Sequence, residues 1–175
     1  MKAVIDTNVL LVANGLHDDV SEDCVVECIQ RLRAMQGKGI VVIDDGLRIL
    51  REYQRKTSLN PPKGVGDVFL KWLLRQAGST RMEQVSLNET ADDCFAEFPD
   101  SELEPRFDAP DRKFAAVAHA HPDSPAIWQA ADCKWLDWWP ALRAKGIKVE
   151  FLCPADACTF YGKKFPEKPV PQWPD

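Results

Sequence analysis

No stretch of this chain is long and apolar enough to cross a bilayer, which excludes a membrane-spanning helix. A basic–apolar–small leader is missing too, because Asp6 interrupts the first apolar run, so a cytoplasmic protein without a membrane partner is expected. Internal repeats are absent. An excess of basic residues is also absent: 22 Lys and Arg against 27 Asp and Glu leave a formal charge of −5, which argues against strong long-range capture of nucleic acid. A nuclease is not thereby excluded, since clustered active-site acids lower net charge while bound cations restore the local potential. The six cysteines (24, 28, 94, 133, 153 and 158) lack a two-residue ligand gap and have no histidines at ligand spacing. Structural zinc at Cys24/Cys28 or Cys153/Cys158 is therefore disfavoured, and reduced thiols are expected.

What is present fits one α/β domain. The 175 residues are 45% hydrophobic and 28% charged, enough for one full core and too few for two. Met1-Lys-Ala-Val-Ile5 reads as a buried parallel strand ending at Asp6. Ser21 caps a helix with apolar residues at 25, 26, 28, 29, 32 and 35, which stops at Gly37-Lys-Gly39. Ile40–Ile43 is a second strand, with Asp44 or Asp45 capping the helix of Leu47, Leu50 and Tyr53. A helix from Asp67, a short strand over 82–87, an acidic surface over 88–108 and a helix opening at Pro110 follow. Residues 125–130 form a weak strand, Trp135 opens a helix, and 147–152 is the last strand. Alternating strands and helices predict a three-layer α/β/α sandwich around a mostly parallel sheet over 1–153. Residues 154–175 hold five of the 13 prolines and read as an extended tail, laid over the domain by Phe160, Tyr161 and Trp173.

Four acids take equivalent places in this pattern. Asp6 ends the first strand, Glu52 lies on the helix after the second, Asp111 opens a helix, and Asp132 follows the fourth strand. All can converge at the carboxyl edge, where open α/β sheets bind ligands. Clustered carboxylates repel, and hard divalent cations are the usual remedy. Each acid also has a structural reading: Asp6 and Asp111 as helix caps, and Glu52 as part of a solvated face where Arg48 and Arg55 pair with it. His119 and His121 read as packed or exposed helix residues, not as general bases.

The chain resembles a PIN-domain ribonuclease. The resemblance rests on Val4-Ile-Asp-Thr-Asn-Val-Leu10, Glu52-Tyr53, Asp111-Arg-Lys-Phe-Ala-Ala-Val-Ala118, Ala131-Asp-Cys-Lys-Trp-Leu136 and Gly146-Ile-Lys-Val149, and spans residues 1 to 153. It implies a PIN-like, Rossmann-like fold and a metal-dependent endoribonuclease that hydrolyses RNA through a metal-activated water, leaving a 5′-phosphate and a 3′-hydroxyl. Asp6, Glu52, Asp111 and Asp132 would be both catalytic and metal-binding, with one or two Mg²⁺ or Mn²⁺ ions. Thr7 or Asn8 would hydrogen-bond a carboxylate or metal water, and Arg48, Arg51, Arg55 and Lys56 would hold the RNA backbone. Many members carry a further acid two residues after the fourth; Lys134 stands there, which puts a second metal in doubt, with Asp108 and Asp137 as candidate substitutes. RNA is the implied partner, joined by an antitoxin or other protein regulator, or by a second copy in a homodimer. Toxin, phage-defence and RNA-processing roles all fit. Two rivals remain: a noncatalytic PIN-like RNA-binding scaffold, which Lys134 keeps open, and a haloacid-dehalogenase-type phosphatase, which wants an acid where Asn8 stands.

Overall fold

The opening apolar run becomes the centre of the sheet. The computed structural model describes residues 1–173. Its first half runs β1 (Lys2–Ile5), α1 (Thr7–Ala13), α2 (Glu22–Lys38), β2 (Ile40–Asp44), α3 (Arg48–Lys56), α4 (Val65–Leu74) and β3 (Met82–Val85). A short antiparallel pair, β4 (Glu89–Ala91) and β5 (Cys94–Phe95), comes next. The remainder is α5 (Arg112–Ala120), β6 (Ala126–Gln129), α6 (Trp135–Ala144), β7 (Val149–Phe151) and α7 (Pro154–Lys164).

The main sheet has the order β3-β2-β1-β6-β7, and every pair is parallel. Successive strands step outward from β1 through β2 to β3, then the chain returns to β6 and steps the other way. Right-handed crossovers place the helices of the two halves on opposite faces, giving a three-layer, Rossmann-like α/β/α sandwich. On one face α1, α2 and α4 pack on one another; on the other, α5 lies across β2, β1 and β6. The strand order reverses between β1 and β6, so the crevice at their carboxyl ends is the topological switch point. Asp6 follows one of these strands and Asp132 the other.

Local chemistry fixes the helices that frame the crevice. Ser21 Oγ accepts the Cys24 N–H at the start of α2, and Arg81 closes its far end by donating to the carbonyls of Met35, Gln36 and Gly39 at 2.9, 2.9 and 2.6 Å. Asp44 caps α3 by accepting the Arg48 and Ile49 N–H groups at 2.8 and 3.0 Å, while Leu47 turns the chain through a left-handed φ of 59°. Gly66 lets α4 approach α1, because a Cβ there would run into the Leu10 carbonyl. Ala115, Ala116 and Ala118 are fully buried and bring α5 close to the strands. Within the acidic stretch 88–108 the charges stay largely outside, but Phe95, Phe98, Leu103 and Phe107 are buried, and Phe107 stacks on Trp138.

Two expectations need correction. The segment after Cys153 is not simply an extended tail: its first eleven residues are α7, with Pro154 at the helix start, where a missing N–H costs nothing. Tyr161 is buried beside Leu136, and its hydroxyl donates to Asp137 at 2.6 Å. Beyond α7, Trp173 packs edge-on against Phe151, and positions 174 and 175 of the expected tail lie outside the described residues. The cysteines are not all reduced thiols either: Cys24 and Cys153, 5.2 Å apart at Cα, form a disulfide that ties α2 to the start of α7. No helix among the described residues is long and apolar enough to cross a membrane.

Candidate functional site

The site is built outward from Asp6. Its N–H donates to the Trp128 carbonyl at 2.9 Å, continuing the β1–β6 ladder by one residue, and Oδ1 caps α1 by accepting the Asn8 N–H at 2.8 Å. The capping reading is therefore correct for one oxygen. The other, Oδ2, is buried and has no hydrogen-bond donor among the described residues. Burial, and then the charges of Asp111, Asp132 and Glu52, push the Asp6 carboxyl well above its ordinary range against the pull of the Asn8 N–H. Asp6 thus sits within Coulombic reach of all three other acids named from the sequence.

Each of those acids is held differently. Glu52 is not flanked by arginine partners: Thr7 Oγ1 donates to its Oε1 at 2.6 Å, and the Lys113 ammonium bonds its Oε2 at 2.5 Å. Lys113 is only 6% exposed and also donates to the Pro110 carbonyl. Asp111 ends the 3₁₀ turn that leads into α5 and makes no capping hydrogen bond. Its carboxyl is pushed up to about 7 by burial and by Asp132, with Asp108 and Glu52 adding to the rise and Lys113 opposing it. Asp132 Oδ1 accepts the Lys134 N–H at 3.1 Å. The Lys134 side chain forms an ion pair with Asp108 and so brings a cation beside the acids.

The remaining named residues fall into two groups. Thr7 binds a carboxylate, as expected, whereas Asn8 spends its amide on structure: Oδ1 accepts the Ala130 N–H at 3.1 Å and Nδ2 donates to Gln129. Gln129 is fully buried and ties Asn8 to the end of β6. Arg48 is already paired with Glu89 at 2.8 Å and reaches Asp44 at 3.6 Å. Arg51 and Arg55 are exposed and, with Arg48, Glu52, Asp93, Pro110 and Lys113, line an open groove beside the acids. A second groove includes Asn8, Asp132, His17 and Phe160. Asp137 turns away toward Tyr161 and Lys168 and does not substitute for the missing acid. His119 bonds the Glu97 carbonyl and His121 pairs with Glu83, so neither touches the acids.

Lys113 and Gln129 are the site residues that sequence reasoning missed. Lys113 lies in the first turn of α5, and only the three-dimensional approach of α3 to α5 gives it a carboxylate. The carboxylates fit a hard divalent cation chemically, through an oxygen-only donor set, a buried oxygen without a partner and mutual repulsion. Their spacing is open. Among the described residues no three of these acids bring oxygens within 4.8 Å of one another, so a bound cation would be reached partly through water or after side-chain movement. No family model matches the chain, and neither a curated protein nor a solved structure matches it.

Proposed function

We propose that this protein is a Mg²⁺- or Mn²⁺-dependent endoribonuclease of the PIN-domain kind. The observation that carries the reading is Asp6 Oδ2, a buried oxygen without a donor, set at the switch point of the sheet among three other carboxylates. Burying such a group costs free energy that a stability role alone does not return. Asp6, Asp111 and Asp132 would hold the cation, with Glu52 positioned by Thr7 and Lys113 at its edge. When bound, the cation supplies Lewis acidity toward a phosphodiester oxygen and makes water a nucleophile at neutral pH. Protons and cations compete for Asp6 and Asp111, because both relieve the same repulsion. Asn8 and Gln129 lock the ends of β1 and β6 together and so fix the separation of Asp6 from Asp132. Arg51 and Arg55 offer guanidinium groups to the backbone of an RNA strand lying in the groove beside Glu52.

A noncatalytic scaffold is the second reading, and one observation favours it: Lys113 and Lys134 already place two ammonium groups against the acids. Isothermal titration with Mn²⁺, followed by incubation with single-stranded RNA, separates the two. The nuclease binds Mn²⁺ and shortens the RNA only when the ion is present; a scaffold binds RNA and leaves it intact.

A further inference from the structure

Three cysteines meet at a place the acidic site does not use. Cys24 and Cys28 stand one turn apart on the same face of α2, and Cys153 joins them from the junction of β7 and α7. The three sulfurs lie within 4.8 Å of one another, with Cys28 Sγ 3.9 Å from Cys153 Sγ, and all three residues are buried. In the disulfide-bonded form Cys28 remains a thiol beside the Cys24–Cys153 bridge.

A buried thiol next to a disulfide has two chemical uses, and geometry chooses between them. Exchange needs the attacking sulfur on the S–S axis, which would place Cys28 about 6 Å from the farther sulfur. Cys28 lies no more than 4.8 Å from either, so the sulfurs form a triangle, not a line. Three thiolates around one soft cation, by contrast, have bonds of about 2.3 Å and neighbouring sulfurs about 4 Å apart. The Cys28–Cys153 edge already has that length.

We propose that Cys24, Cys28 and Cys153 form a redox-gated site for one soft d¹⁰ cation, Zn²⁺ or Cu⁺, which opens when the disulfide is reduced. A dithiol supplies two electrons and two protons to the bridge and becomes a disulfide itself. The thiols then release protons to solvent as metal–sulfur bonds form. No fourth Cys, His, Asp or Glu joins the trio among the described residues. The sequence hides this site because each apparent pair, 24/28 and 153/158, contributes differently: both members of the first, one of the second.

The test uses the full chain, reduced with a phosphine, freed of it by anaerobic desalting, and titrated in separate arms with Zn²⁺ and with chelator-buffered Cu⁺. One equivalent should bind with a new ultraviolet thiolate-to-metal charge-transfer band, at shorter wavelength for Zn²⁺ than for Cu⁺, a signature that carboxylate sites do not give. The band should be missing from the oxidised protein, and Cys28→Ser should weaken binding about 100-fold, whereas Cys133→Ser and Cys158→Ser leave it unchanged. Either arm giving the band supports the site and identifies the cation. A reduced protein without the band in both arms overturns the proposal, as does equal binding by the oxidised form. That comparison involves no substitution, so it decides even if Cys28→Ser does not fold.

Discussion

Asp111→Asn is the substitution whose effect follows most directly from the electrostatics of the site. Burial and the Asp132 charge, then Asp108 and Glu52, move this carboxyl from 3.8 to about 7 despite the nearby Lys113. About three pH units at ~1.4 kcal/mol each give about 4 kcal/mol of differential interaction. Asp111 titrates together with its neighbours, so one substitution recovers only part of that, about 1–3 kcal/mol. The folded state holds this proton more tightly than the unfolded chain. Its stabilising contribution is therefore complete below about pH 4 and is lost as the pH rises through about 7. In chelator-treated buffer, wild type and Asp111→Asn should melt nearly together at pH 4. They should separate progressively to pH 8, where the variant melts higher by about 2–4 °C per kcal/mol recovered. Added Mn²⁺ should close the gap by stabilising the wild type more. Thermal melts followed by circular dichroism at four pH values suffice. A difference that does not change with pH, or a variant less stable at pH 8, would refute the account of mutual repulsion.

Other consequences are separable. Lys113→Met leaves Glu52 without its ammonium partner, so the metal-free protein should lose about 3 kcal/mol in urea unfolding. The same variant should bind Mn²⁺ more tightly by calorimetry, because a competing positive charge is gone. Asp67 accepts the Ser58 and Lys63 N–H groups and the Asn14 amide at 3.0, 2.8 and 2.8 Å. Burial acts to raise this carboxyl, but these donors outweigh it and the group titrates below its usual range. Asp67→Ala should therefore cost about 2–4 kcal/mol at pH 7, and that contribution should fade as pH falls through the depressed value. In an Asp6→Asn background that prevents cleavage, Arg55→Ala should weaken RNA binding and flatten the slope of log affinity on log salt by about 0.7. Its melting temperature should hardly change; an unaltered salt slope would leave Arg55 as a solvated surface residue.

The residues most legible in sequence were those whose role is local. An apolar run ending in Asp6 is enough to locate β1, and the alternation of later strands with helices is enough for a three-layer sandwich, whereas the strand order comes only from the fold. Asp44 and Ser21 announce their helices because a cap acts within a few residues of itself. Contacts made across the fold were hidden. Arg48 and Arg55 lie on the same helix as Glu52 and invite an ion pair, yet the cation that reaches Glu52 is Lys113, 61 residues away. Cys24 lies four residues from Cys28 but bonds Cys153, 129 residues on. Pro154 belongs to a proline-rich segment, and composition alone does not separate a proline that starts a helix from one that prevents it.

The most direct measurement is the cleavage of end-labelled single-stranded RNA by the wild type and by Asp6→Asn, with and without Mn²⁺. Asparagine retains an oxygen to accept the Asn8 N–H but removes the charge at the centre of the acid cluster. The account predicts Mn²⁺-dependent cleavage by the wild type, and none by an Asp6→Asn protein that folds with equal or greater stability in metal-free buffer. Cleavage by Asp6→Asn at the wild-type rate, or a folded, Mn²⁺-saturated wild type that leaves RNA intact, would contradict it.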